Sequence, residues 1–376
     1  MVAMLPNLAH QKGFEVHLLL HQNQLPLFQD VLEGVKVHCV AFKDGFLRRL
    51  IWEQLVLPLY AWRFADVTFS PANFGPLLAP RPVVLLRNAL GVADHDLRLG
   101  KKIYWLSLGI MTWLSLLVSP VAIAVSDYAR RNLAFGFARK VRIVHHGVDH
   151  KHFHADERPR DAFVLAVGDL TVQKNFHTLI EAVARIPGLC LKIAGRRVDE
   201  AYAQSLEAQV RALAVGDRIA FLGSVGPDEL SALYRRCRLF AFPSTVETFG
   251  NPLVEAMASG CAILCSKAAA MPEILEDAGL YAEALDVNDW EKGLHRLLGD
   301  PSFRSELSEY ALRRSEEFDW KATAEQTTTI LMLAGQKRGK SFSGIFAWGW
   351  IVLVLGLYLM QFKGLLPAMM KAMGWP

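Results

Sequence analysis

No Cys-x-x-Cys pair occurs in this 376-residue chain, and its five cysteines, Cys39, Cys190, Cys237, Cys261 and Cys265, are an odd number without a Cys/His cluster. Neither a disulfide framework nor a zinc site is signalled, which points to a reducing compartment and no structural metal. No Gly-x-Gly-x-x-Gly follows a strand-like run, so a dinucleotide-dependent oxidoreductase is a poor reading. Ser-, Gln-, Pro- or Gly-rich tracts are missing, and hydrophobic residues make up 52% against 21% charged, which excludes disordered and collagen-like chains. The basic residues are scattered and not interleaved with aromatics as in nucleic-acid binders, so no nucleic-acid partner is expected. The first twenty residues lack the charged start, apolar stretch and small-residue cleavage site of a secretory signal.

What is present is a length suited to two domains with a cleft between them, an arrangement that favours an enzyme over a small binding module. The net charge of +4 is unevenly spread. Residues 1–155 hold 17 Lys and Arg against 10 Asp and Glu, residues 156–335 hold 19 against 27, and residues 336–376 hold 5 against none. Two solvated surfaces facing each other account for this asymmetry. So does a first half that leans on anionic lipid or an anionic acceptor.

Residues 342–362 run uncharged, with Trp348 and Trp350 among them and Lys337, Arg338 and Lys340 ahead of them. Twenty-one residues of helix reach roughly 31 Å, a bilayer core's thickness, and the stretch has no polar face for a soluble helix. We read it as a C-terminal membrane helix with the globular part cytoplasmic; a helix lying at the interface or docking on a partner is the alternative. A second uncharged run, 103–125, is divided by Ser119-Pro120 into a helix, 101–118, and a buried strand, 121–125. Ser107, Thr112, Ser115 and Ser119 fall within about 140° of one another on that helix, leaving a broad apolar remainder. Packing on a sheet and dipping into a membrane surface, the latter helped by Trp105, Trp113 and Lys101-Lys102, are both open for it.

Strand-like runs at 14–20, 35–42, 67–70, 83–86, 121–125 and 141–145 alternate with helical stretches. After the His-rich link 150–160 the alternation restarts, with strands at 163–167, 189–194, 219–222, 239–242 and 262–265 and helices at 176–186, 200–213, 228–237 and 252–258. This is an α/β chain of two doubly wound units: 1–155, 156–335, and a tail 336–376. Ligands of such sheets sit beyond the carboxyl ends of the strands.

The richest segment runs from Leu239 through Glu247, Phe249, Gly250, Asn251, Pro252, Leu253 and Glu255 to Gly260: a strand, a loop and a helix. Asn251 suits an N-cap and Pro252 the first turn, so free N–H groups and a positive dipole end await a phosphate. Glu247 and Glu255 can each accept hydrogen bonds from sugar hydroxyls, although their spacing alone equally fits a solvated helix face.

With Gly260-Cys-Ala-Ile-Leu-Cys-Ser and Met271-Pro272-Glu273-Ile274 behind it, this segment resembles the signature of the family-4 retaining glycosyltransferases of GT-B fold, and the Glu-x7-Glu pattern is intact. Further pieces fall in that family's order: Gly13-Phe-Glu-Val, Ala124-Val-Ser126, Gly147-Val-Asp149 with Phe153, Val167-Gly168-Asp169 leading to Lys174-Asn175, Ala194-Gly195, Phe221-Leu222-Gly223 and Phe318-Asp-Trp320. The resemblance covers about residues 8–333. It implies a nucleotide-sugar donor held by the second domain, with Glu255 on the ribose and Glu247 on the transferred sugar. Phe249, Gly250, Asn251 and Leu253 would offer backbone contacts. Lys174 would neutralise the departing diphosphate, with no metal and no other cofactor, and configuration would be retained. The base would lie near Gly195-Arg196 and the strand end at 218–223.

Three departures accompany it. Where many relatives carry an arginine after the glycine equivalent to Gly168, this chain has Asp169, and Arg196, Arg197 or Arg130 is the candidate replacement cation. Where relatives often have a histidine, it has Arg87-Asn88, retained as candidate site residues. The family's first strand and Gly-rich loop are not found before Leu8, so either translation begins upstream of Met1 or the fold has lost an element. The expectation is thus a membrane-associated transferase acting on a lipid-linked or surface-glycan acceptor at the cytoplasmic face. A non-catalytic relative that binds nucleotide or a partner enzyme is the alternative.

Overall fold

A computed structural model describes residues 2–11, 13–41, 46–89 and 99–336. The apolar segment 342–362 and the basic residues before it lie outside the described residues. By contacts the chain divides into two compact units, His146–Asp319 and Met1–His145 with the chain from Trp320 onward.

The unit His146–Asp319 is built on six parallel strands: β7 (Phe163–Val167), β8 (Cys190–Ala194), β9 (Ile219–Gly223), β10 (Leu239–Phe242), β11 (Ile263–Ser266) and β12 (Leu280–Ala282). Their order is β12-β11-β10-β7-β8-β9, so the winding reverses between β7 and β10. Both neighbours are continuous apolar runs, as strands covered on two faces must be, and Leu239, Phe240, Ala241 and Phe242 are all buried. Helices supply the cover: Leu179 and Val183 of Phe176–Ala184, Leu206 of Glu200–Ala212, and Trp290 and Leu294 of Val287–Gly299 share one core with Val164 and Leu191. Asp199, Asp286 and Asp300 cap the helices Glu200–Ala212, Val287–Gly299 and Pro301–Ser315 by accepting amide protons of the first turn. Arg160 ties two helix ends together, donating to the carbonyls of Tyr234 (2.8 Å), Cys237 (3.0 Å), Ser259 (2.8 Å) and Gly260 (2.7 Å). Strand β12 has no counterpart in the sequence reading, because Leu280-Tyr281-Ala282 is too short to show a period.

The other unit carries β1 (Val16–His21) paired parallel with β2 (Val35–Val40), and a separate four-stranded parallel sheet in the order β3 (Thr68–Ser70), β4 (Pro82–Leu86), β5 (Ala122–Ala124), β6 (Val141–Ile143). The helix Trp320–Gln336 joins this unit and not the second domain, where the boundaries 156–335 put it. Its Ala324 is buried with Met4 and Leu8, its Thr327 hydroxyl meets the Met4 sulfur at 3.8 Å, and Thr323 donates to the His145 carbonyl at 2.8 Å. The helix Leu99–Val118 ends one residue before Ser119-Pro120, and no described helix is long and apolar enough to cross a membrane.

Candidate active site

The reversal of winding between β7 and β10 leaves a crevice at their carboxyl ends, the place where doubly wound sheets bind ligands. The loops leaving these strands carry most of the residues singled out from the sequence. Gly168 follows β7 with φ +155°, and a Cβ there would lie 3.0 Å from the Cδ and Cε of Lys174, so the lysine stem lies across the bare glycine. Gly195, after β8, is equally constrained: a Cβ would fall 1.9 Å from the Gly168 carbonyl oxygen.

Lys174 ends a short 3-10 turn, Val172–Lys174, and Asn175 behind it takes the left-handed conformation at φ 54°. Asn175 is fully buried and joins both loops: its amide donates to the carbonyls of Pro243 (3.0 Å) and Ala284 (2.6 Å) and its oxygen accepts from Thr178 (2.7 Å). The Thr245 amide donates to the Gln173 carbonyl at 2.8 Å, a second staple. Together these hold Lys174 against the β10 loop, where its Nζ meets Glu247 Oε1 at 2.5 Å and stands 5.4 Å from the Phe242 ring centroid. Side-chain exposure is 16% for Lys174 and 18% for Glu247, so the pair is largely withdrawn from solvent but open on one side. Asn175 entered the sequence reading only as a motif letter; a buried asparagine beside a lysine gives no periodic signal of its pinning role.

Glu255 stands apart from that pair. It sits in the second turn of the helix Asn251–Ala258, half-buried, and accepts the hydroxyl proton of the fully buried Tyr234 at 3.0 Å. Burial pushes its carboxyl pKa above the usual range, partly opposed by the Tyr234 hydrogen bond and by His152. The Tyr234 phenol is driven well up by its own burial and by facing Glu255. Tyr234 carried no sequence signal beyond an apolar position on the helix Pro227–Arg236.

At the helix start the sequence expectation needs correcting. Gly250, at φ 89°, is the N-cap and Asn251 the first helical residue, because the chain must turn through a left-handed conformation beside Phe242, 3.2 Å from a Cβ placed at Gly250. Asn251 turns its side chain to His146 instead, with Oδ1 and Nδ1 3.2 Å apart. The Leu253 amide donates to the Gly250 carbonyl at 2.9 Å and Pro252 has no N–H, so the amides of Gly250 and Asn251 are what the helix start offers an anion. The Phe249 and Leu253 side chains are buried, Phe249 between His146 and Phe318.

Asp169 binds Arg196 three times: Oδ2 to Nη2 at 2.7 Å, and Oδ1 to Nε at 3.1 Å and to the main-chain N–H at 3.2 Å. The guanidinium holds the Asp169 carboxyl below its usual range. All three candidate replacement cations are paired: Arg197 with Glu200 and Glu207, Arg130 with Asp127, and Arg196 with Asp169 of the β7 loop. Arg87 and Asn88 leave β4 in the other unit. Buried Asn73 orders both: its Oδ1 accepts their amides at 2.8 and 2.9 Å, and its Nδ2 donates to the Asn88 carbonyl at 2.7 Å. Among the described residues no group of three His, Cys, Asp or Glu is gathered as a metal would require.

Residues 148–314 match the family described as glycosyl transferases group 1. The O-antigen chain mannosyltransferase B of Escherichia coli is 31% identical over 178 residues, 46% of each chain. The chain thus spans about half or less of the length of the curated relatives it matches. Among solved structures, the sucrose-phosphate synthase of Thermosynechococcus elongatus superposes with a TM-score of 0.70 at 20% identity, covering 88% of this chain and 91% of that one. The HepE protein of Anabaena, solved in complex with UDP-glucose, superposes with a TM-score of 0.70 at 18% identity, covering 88% and 95%. These likenesses and the parallel sheets support a GT-B-like α/β fold, with the stretch 148–314 similar to the group 1 glycosyltransferases.

Proposed function

We propose that the chain is a retaining, metal-independent hexosyltransferase that uses a nucleoside diphosphate sugar and acts on a lipid-linked or cell-surface glycan acceptor at the cytoplasmic membrane face. One observation carries the reading: the Lys174–Glu247 pair, withdrawn from solvent at the carboxyl ends of β7 and β10. A cation for the departing diphosphate and a carboxylate for the sugar stand side by side, as the transfer demands. The Gly250 and Asn251 amides would add anion-binding dipoles, and Glu255, held by Tyr234, would accept the ribose hydroxyls. Arg196, tethered by Asp169, supplies the second cation that Asp169 itself displaces. Arg87 and Asn88 are assigned to the acceptor-side unit as site candidates.

In the step itself the anomeric carbon's bond to the diphosphate oxygen breaks while the acceptor hydroxyl attacks from the same face. The hydroxyl proton leaves with the diphosphate. Glu247 positions and stabilises the sugar as positive charge grows on it, and Lys174 stabilises the negative charge growing on the leaving group.

The test is transfer by the full chain in detergent with EDTA present, offering UDP- and GDP-hexoses and a polyprenyl-linked glycan acceptor. Mannosyl donors come first, since the named relative from Escherichia coli is a mannosyltransferase. We expect an axial product from an axial donor and loss of turnover by about 10²- to 10³-fold in Glu247→Ala and Lys174→Ala. Full activity in either variant, or an inverted product, overturns the assignment. A second reading, a non-catalytic nucleotide-binding relative, is favoured by the internal neutralisation of both cations, Lys174 by Glu247 and Arg196 by Asp169. Transfer by the chain alone excludes it.

A further inference from the structure

The helix Leu99–Val118 lies the wrong way round for water. Two of its hydroxyl-bearing residues face the protein: Thr112 and Ser115 are buried, with Ser119 just beyond the helix end, beside Leu116 and Val118, while Ser107 is exposed. Thr112 returns its proton to the Leu108 carbonyl (2.7 Å) and Ser119 to that of Ser115 (2.6 Å), while the Ser115 hydroxyl accepts the Gly75 amide (3.2 Å). The exposed stripe is apolar: Leu106 (65% exposed), Ile110 (51%), Trp113 (43%) and Leu117 (41%), spaced as one face of a helix. A helix that buries Thr112 and Ser115 while turning the aliphatic and indole groups of Leu106, Ile110, Trp113 and Leu117 outward runs opposite to the patterning of a solvated one over that stretch.

The neighbouring segment extends the patch. Phe135 stands at φ 44°, costly for an aromatic residue, yet leaves its ring 42% exposed, with the ring tip 3.9 Å from a Cβ placed at Gly109. Phe137 lies 6.4 Å from the Trp113 ring, under the Lys140 ammonium. Lys140 also donates to the carbonyls of Leu116 (2.5 Å) and Ser119 (2.9 Å), so the exposed Arg139 and Arg142 beside it lie at the Leu117 end of the stripe. A contiguous apolar strip with aromatic residues along it and cations at one rim is matched by one kind of partner above others: the interface of an anionic bilayer, where side chains enter the acyl boundary and arginines meet phosphates.

We propose that the stripe Leu106, Ile110, Trp113, Leu117 and Phe135, rimmed by Arg139 and Arg142, is a membrane-docking face on which this unit lies in an anionic bilayer surface. The contact does not depend on the transfer chemistry, nor on residues 342–362.

A label read locally separates this contact from any other. Ile110→Cys is made in full-length protein carrying Cys39→Ser and Cys190→Ser, since Cys237, Cys261 and Cys265 are buried, and is coupled to a polarity-sensitive fluorophore. A second protein carries the label at Arg211→Cys, on the exposed side of the other unit. With phosphatidylglycerol vesicles we expect a blue shift at position 110 and none at 211, weakened by salt and by replacing phosphatidylglycerol with phosphatidylcholine. Arg139→Glu with Arg142→Glu should raise the lipid concentration for half-maximal shift by about tenfold or more. Cosedimentation with vesicles while the label at 110 stays unshifted overturns the proposal, as does a shift without lipid accompanied by the mass of a dimer. Nucleotide affinity in detergent, measured on the same charge-reversed variant, is expected to match the parent, so a failed docking face and a failed donor site give different results.

Discussion

Lys174 and Glu247 neutralise each other at 2.5 Å, so under the proposed function a diphosphate would compete with the carboxylate for the ammonium. The bare Gly168 beneath the lysine stem lets Nζ move without a collision, whereas a Cβ 3.3 Å from it would restrict that exchange. Glu255 makes a different prediction. Its folded pKa lies above the unfolded value, so folding penalises the ionised form. Stability from this group is complete below the unfolded pKa and is lost as pH rises through the folded pKa. Glu255→Gln keeps an acceptor for Tyr234 and removes that loss. It should raise the melting temperature near pH 8 above that of the parent, the gain vanishing near pH 4, while weakening nucleotide binding. A melting temperature that falls at alkaline pH in the variant would contradict this sign.

At the scale of elements, the apolar runs and their breaks made most of the chain legible. Phe163–Val167 and Leu239–Phe242 have the same bounds in sequence and structure, because buried parallel strands are uninterrupted apolar stretches. Ser119-Pro120 correctly closes the helix before β5. What stayed hidden depends on partners distant in sequence: Gly250 displacing Asn251 as cap, Asn175 and Asn73 pinning loops, Tyr234 on Glu255, and the face on which Leu99–Val118 packs. Asp169 was visible as a departure, but only coordinates pair it with Arg196. Arg160 belongs to the same class. It satisfies four carbonyls at the ends of the helices Pro227–Arg236 and Asn251–Ala258, which carry Tyr234 and Glu255. Arg160→Ala should cost about 3 kcal/mol by denaturant titration, and Arg160→Lys should recover less than half, since an ammonium cannot reach four acceptors in a plane.

At the scale of the molecule, the unit His146–Asp319 holds its own sheet, its own core and nearly every donor-side candidate. Its ends meet in a bridge between Val148 and Asp319, which closes it on itself. Expressed alone, residues 146–319 should unfold cooperatively in denaturant and retain the nucleotide affinity of the full chain within about threefold, by the additivity of independent sites. Non-cooperative melting or a lost affinity would mean that the donor site needs the other unit.

The most direct measurement is calorimetric titration of the full chain in detergent with UDP and with GDP, EDTA present, alongside Lys174→Ala. The account expects micromolar binding of one nucleotide, weakened at least about tenfold in the variant by loss of one charge-assisted contact. A folded chain that binds neither nucleotide, or binds equally well without Lys174, would contradict it.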